Sequence, residues 1–159
     1  MPQLWYVGLL ITAGAFTYVS ACTCAGPQPT VQQHFCNSQF SSVFKIKNNG
    51  TAVPSGSGRV YEVERLRQYR TTDLDSKPDV TKLYTTYVDG SFCGVTFVPE
   101  AYYLVTGYYR KVPGQEMTQM WTNFCNFQKY YEDNPLETFV APQCNTTKPD
   151  IKTDQEPTF

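Results

Sequence analysis

Val60-Tyr61-Glu62-Val63-Glu64-Arg65-Leu66-Arg67-Gln68-Tyr69 is a long, strand-like run in the middle of the chain. Tyr61 and Val63 alternate with charged residues, as a strand with one buried face requires. Leu66 then breaks the alternation, which predicts a bulge or strong coiling inside the strand. Upstream, Val43 to Lys47 alternates, and Asn48-Asn49-Gly50 is a strong turn signal that runs on through Pro54-Ser55-Gly56-Ser57-Gly58. Downstream, Thr71 to Thr81 reads as a polar loop containing Pro78. Leu83 to Val88, Tyr102 to Tyr109 and Met117 to Phe124 bring the expected strands to about five. Thr30 to Phe40 predicts a short helix with Thr30 as N-cap and Gln33 at the capping-box position. A second short helix is expected within Asn126 to Glu137. No internal repeat or heptad pattern is present. The expected fold is mainly β: a five-stranded barrel of the OB type with short flanking helices, a β-sandwich being the alternative.

Composition narrows the function. Thirteen Lys+Arg stand against 14 Asp+Glu, for a net charge of −1. That balance argues against nucleic acid as a partner, because a basic surface is needed to release counterions from phosphates. The chain of 159 residues has one histidine, His34, which by count excludes catalysis on histidine pairs and any multi-histidine metal site. No nucleophile–base arrangement supports an enzyme. Twelve Tyr and 10 Phe suit a β-rich core.

Six cysteines are the strongest signal, and their meaning depends on redox compartment. Leu4 to Val19 is apolar apart from Thr12, Thr17 and glycines, and no charged side chain occurs before Lys45. The run is shorter than the ~20 residues that span a bilayer, so no transmembrane segment is expected. It ends in Val19-Ser20-Ala21, which suits signal peptidase. Residues 1–21 are therefore read as a signal peptide, residues 22–144 as one extracellular domain, and residues 145–159 as a polar, disordered tail. The same Val19-Ser20-Ala21-Cys22 also has the form of a bacterial lipobox, but the uncharged leader and the six-cysteine pattern weigh against it.

All six cysteines, at 22, 24, 36, 93, 125 and 144, survive removal of the leader, an even number as a disulfide framework requires. Spacing alone cannot choose among the 15 pairings that six cysteines allow. Cys22-Thr23-Cys24 is also tighter than a zinc knuckle. Cys22-Thr23-Cys24 directly after the cleavage site, with Phe35-Cys36-Asn37-Ser38, Phe92-Cys93-Gly94, Tyr103-Leu104-Val105-Thr106-Gly107 and Thr122-Asn123-Phe124-Cys125-Asn126-Phe127, resembles the tissue inhibitors of metalloproteinases. The likeness covers their N-terminal, netrin-like inhibitory domain, roughly residues 22–144, without the second six-cysteine domain of that family. Ala25-Gly26 stands where the family often has a bulkier residue and a proline.

The resemblance implies disulfides Cys22–Cys93, Cys24–Cys125 and Cys36–Cys144, and inhibition of secreted or membrane-type zinc metalloproteinases. A catalytic zinc keeps one open position beside its protein ligands. The α-amino nitrogen and carbonyl oxygen of a free Cys22 are adjacent donors that can chelate that zinc and expel its water. Thr23 would enter the neighbouring specificity pocket, and the proteinase-contacting ridge would comprise Cys22, Thr23, Cys24, Ala25, Gly26, Ser91, Phe92 and Cys93. The protein would need no cofactor of its own, since the zinc belongs to the target.

Several residues carry lesser expectations. Asn49-Gly50-Thr51 and Asn145-Thr146-Thr147 are N-glycosylation sequons, with Asn49 and Asn145 as acceptors. Arg65, Arg67 and Arg70 offer a site for glycosaminoglycan or matrix, although a solvated strand face explains them more simply. His34 reads as a packed or surface residue. A netrin-like binding module for matrix, receptor or growth factor is the competing function, and in it the N-terminus would be irrelevant.

Overall fold

The computed structural model describes residues 24, 26–53, 58–72, 77–86 and 94–144. The expected leader, the tail with Asn145, and Cys22, Thr23, Ala25, Ser91, Phe92 and Cys93 lie outside the described residues. In chain order the elements are α1 (Val31–Asn37), β1 (Phe40–Ile46), β2 (Thr51–Ala52), β3 (Gly58–Thr71), β4 (Pro78–Thr86), β5 (Tyr102–Arg110), β6 (Thr118–Thr122), β7 (Gln128–Tyr131) and a 3-10 turn over Pro135–Glu137.

Five strands close on themselves in the order β1-β3-β4-β6-β5, with β5 returning to β1. All these pairings are antiparallel except β4 with β6, where Leu83, Tyr84 and Thr85 run parallel to Met120, Trp121 and Thr122. This is the Greek-key barrel of the OB fold. Closure leaves neither outer edge of the sheet unpaired. β2 extends the β3 hairpin, and β7 takes residues 102–105 of β5 while β6 takes residues 108–110.

β3 carries the expected bulge and a second one. Against β1, the register jumps from Arg67 to Arg65, skipping Leu66, and from Arg70 to Gln68, skipping Tyr69. Before the jumps, Tyr61 and Val63 face the barrel interior with Phe40, Phe44, Ile46, Leu83, Tyr103, Val105 and Met120. The bulges then let Leu66 and Tyr69 join a second cluster on the outer side of β1 and β5, around Val43, Leu104 and Phe35 of α1. β1 is consequently buried on both faces, with Phe40, Val43, Phe44 and Ile46 fully enclosed. Gly107 marks the tightest crossing: a Cβ there would lie 2.1 Å from the Trp121 carbonyl and 2.6 Å from the Phe40 ring. Lys45 pairs with Glu100 at 2.7 Å, and that ion pair holds the Glu100 carboxyl below its ordinary range.

α1 forms where its cap predicts. Thr30 accepts from the Gln33 backbone at 3.2 Å and donates its own backbone N–H to Gln33 Oε1 at 2.8 Å, completing the capping box. It ends at Asn37, three residues before β1 begins at Phe40, so the expected helix is shorter at its C-terminus and the first strand longer at its N-terminus. Two other boundaries are corrected. Pro78 to Thr81 belong to β4 and not to a loop, because a proline is tolerated as the first residue of a strand. Asn126 to Glu137 holds β7 and a 3-10 turn instead of an α-helix, since residues 128–131 pair with the free edge of β5.

Candidate functional site

The barrel positions one disulfide where the resemblance puts the root of the inhibitory ridge. Cys24 and Cys125 are bonded with their Cα atoms 5.6 Å apart. Cys125 lies in the connection between β6 and β7, and two asparagines lock that connection reciprocally. Asn123 Oδ1 accepts from the Cys125 N–H at 2.9 Å, and Asn126 Oδ1 accepts from the Asn123 N–H at 3.0 Å. The Asn126 N–H donates to the Asn123 carbonyl, also at 3.0 Å. Side-chain amides that satisfy local backbone donors make a turn rigid without a helix.

The turn is fastened to the barrel through Thr106, which is fully buried. Its hydroxyl accepts from the Phe127 N–H at 2.9 Å, and its backbone N–H donates to the Phe127 carbonyl at 2.9 Å. Gln128 Nε2 donates to Thr122 Oγ1 at 3.0 Å and to the Asn123 carbonyl at 2.7 Å. Thr122 Oγ1 closes the network on the Thr106 carbonyl at 2.9 Å. Each bond is buried or half-buried, where an unmet donor costs about 1–3 kcal/mol. Cys24 is thereby tied to β5 through one covalent and several hydrogen bonds.

Beside the bridge lies an open groove of about 550 Å³, lined by Cys24, Gly26, Pro29, His34, Phe124 and Asn126 among others. Phe124 is 57% exposed, an apolar ring left uncovered next to Cys125. Gly26 has φ +85°, with open space around a would-be Cβ. Proline is held near −65°, so the family's usual proline cannot follow this backbone path. His34 is half-buried, its ring 6.3 Å from that of Phe127, as a packed histidine.

Of the expected ridge, Cys24 and Gly26 lie among the described residues and share this groove. The second bridge, Cys36–Cys144, with Cα atoms 5.4 Å apart, ties α1 to the end of the segment that covers the outer cluster. Among the described residues no cysteine is free, no cluster of His, Cys, Asp or Glu could hold a metal, and no helix is long and apolar enough to cross a membrane. The arginines of β3 are engaged locally. Arg70 Nε donates to the Ser38 carbonyl at 2.9 Å, Arg67 lies over the Tyr69 ring at 5.9 Å, and Arg65 donates to Gln68. Sequence reasoning missed Thr106, Gln128 and the two asparagines as the anchors of Cys125. The only signal was the pair of turn-forming Asn residues flanking that cysteine.

A closed OB barrel with the segment at Cys24 fastened to its side by a disulfide is a small, disulfide-braced β scaffold. The family model for the tissue inhibitor of metalloproteinase matches residues 20–138, and the chain belongs to that family, one of inhibitors and not of enzymes. No curated protein matches the chain.

Proposed function

We propose that this protein is a secreted inhibitor that occupies the active-site cleft of a zinc metalloproteinase, with the amino nitrogen and carbonyl oxygen of Cys22 as ligands to the target's zinc. Thr23 enters the pocket beside the metal, and Ala25, Ser91, Phe92 and Cys93 complete the contacting ridge with Cys24 and Gly26. The observation that carries this reading is the Cys24–Cys125 bridge on its hydrogen-bonded turn. It holds the chain two residues from the proposed ligand, which lowers the ordering cost that a loose terminus would pay on binding. The exposed Phe124 beside it gives the same surface apolar area to bury against an enzyme.

The amine must be neutral to donate its lone pair. Its reference pKa is ~7.7–8.0, so binding near neutrality releases a proton and inhibition strengthens as pH rises towards that range. The test compares protein beginning at Cys22 with protein carrying one additional alanine before it, assayed on a panel of metalloproteinase catalytic domains. The extended form is expected to lose inhibition, because an amide nitrogen has no lone pair available for zinc. Equal inhibition by a correctly folded extended form overturns the chelation mechanism. Inhibition by neither form leaves the netrin-like binding module as the better reading.

A further inference from the structure

The turn between β1 and β2 has chemistry that inhibition does not use. Asn48 Oδ1 accepts two backbone N–H groups, from Gly50 at 3.0 Å and from Glu62 at 3.2 Å. Its amide is spent on holding the turn to β3. Asn49, next to it, is exposed, and no hydrogen bond of its side chain is present among the described residues. Gly50 is obligatory here. Its φ is +72°, and a Cβ would lie 2.7 Å from the Tyr61 ring, which is itself fully buried. The fold therefore fixes a glycine after the exposed Asn49, and Asn-Gly is the sequence in which a backbone nitrogen most easily reaches the preceding side-chain amide.

We propose that Asn49 is a self-modification site, converting through a cyclic imide, and that Asn48 sets its rate. In the reaction the Gly50 backbone nitrogen gives up its proton and attacks Asn49 Cγ. The N–Cγ bond forms, the Cγ–Nδ2 bond breaks, and Nδ2 leaves as ammonia with the proton. Solvent water then opens the imide at either carbonyl, giving aspartate or isoaspartate at 49. No oxidation or reduction occurs. In the folded protein the attacking N–H is donated to Asn48 Oδ1, which both resists its deprotonation and holds the backbone in the turn. Asn48 thus acts as a guard on the nucleophile. Conversion adds a negative charge, and isoaspartate also adds a methylene to the main chain of a turn pinned at Gly50. A glycan on Asn49, on the sequon that includes the same glycine, would replace the leaving group and block the reaction.

The experiment uses the full domain made without glycosylation, incubated at neutral pH and followed by peptide mass spectrometry with isoaspartate detection. Wild type is expected to convert slowly and chiefly at Asn49, and the same chain unfolded in urea several-fold faster. Asn48→Ala is expected to accelerate conversion several-fold in the folded state. Asn48→Asp keeps a carboxylate oxygen as acceptor for both N–H groups and should retain the slow rate, and Asn49→Gln should abolish the product. Equal rates in the folded and urea-unfolded chain overturn the proposal, as does an Asn48→Ala protein that folds and converts no faster. If Asn48→Ala fails to fold, the folded-against-unfolded comparison and Asn48→Asp decide the question alone.

Discussion

Thr106 shows how one hydroxyl can govern a site it does not touch. It lies under the Cys125 turn, accepts from the Phe127 N–H at 2.9 Å and is fully buried. Thr106→Val keeps the shape and removes the acceptor, leaving that N–H unmet at a cost of about 1–3 kcal/mol. Urea unfolding should register this loss, and amide exchange at Phe127 should quicken more than in the barrel strands. Inhibition should weaken at the same time, because the turn carries the bridge to Cys24. Gly107, the next residue, shows the opposite dependence: the barrel has no room there for a side chain. Neither role is visible in a single sequence, since a threonine and a glycine inside a strand look unremarkable. Cys24 and Cys125, by contrast, announce themselves by residue type and spacing, although their pairing came from likeness to a family and not from physics.

At the level of elements, legibility followed how local the determining interactions are. The α1 cap was readable because Thr30 and Gln33 satisfy each other within one turn. Thr30→Ala should cost about 0.5–2 kcal/mol in chemical denaturation, since it removes a cap from a helix too short to stand by itself. The bulge at Leu66 was readable because it breaks a two-residue rhythm. The second bulge, at Tyr69, breaks the same rhythm, three residues after Leu66, but was not read from it as a separate bulge. β7 was missed for a different reason. Gln128-Lys129-Tyr130-Tyr131 becomes a strand because residues 102–105 of β5 offer it an edge, a pairing across more than 20 residues that no local pattern announces. The N-terminal ligand, Thr23 and the Ser91–Cys93 segment were proposed from residue chemistry and resemblance, and their test remains the assay of the free amine.

Across the whole molecule, two covers close over one barrel: side chains inside it, and α1 with residues 132–144 outside it. The Cys36–Cys144 bridge ties the two parts of the outer cover together. Its sequence separation is 108 residues, so replacing both cysteines by serine should cost about 2–5 kcal/mol, read as a lower denaturation midpoint. Inhibition should survive that change in the folded fraction, whereas the same pair of changes at Cys24 and Cys125 should abolish it with the barrel intact. The seam of the barrel has a consequence for synthesis on the ribosome. Phe40 in the first strand finds its partner, Gly107, only near the end of the fifth. Until β5 emerges, β1 must wait with one edge bare, and such edges recruit other chains. The nascent chain is therefore vulnerable until the fifth of its seven described strands has been made, and residues 102–107 determine when the first is safe.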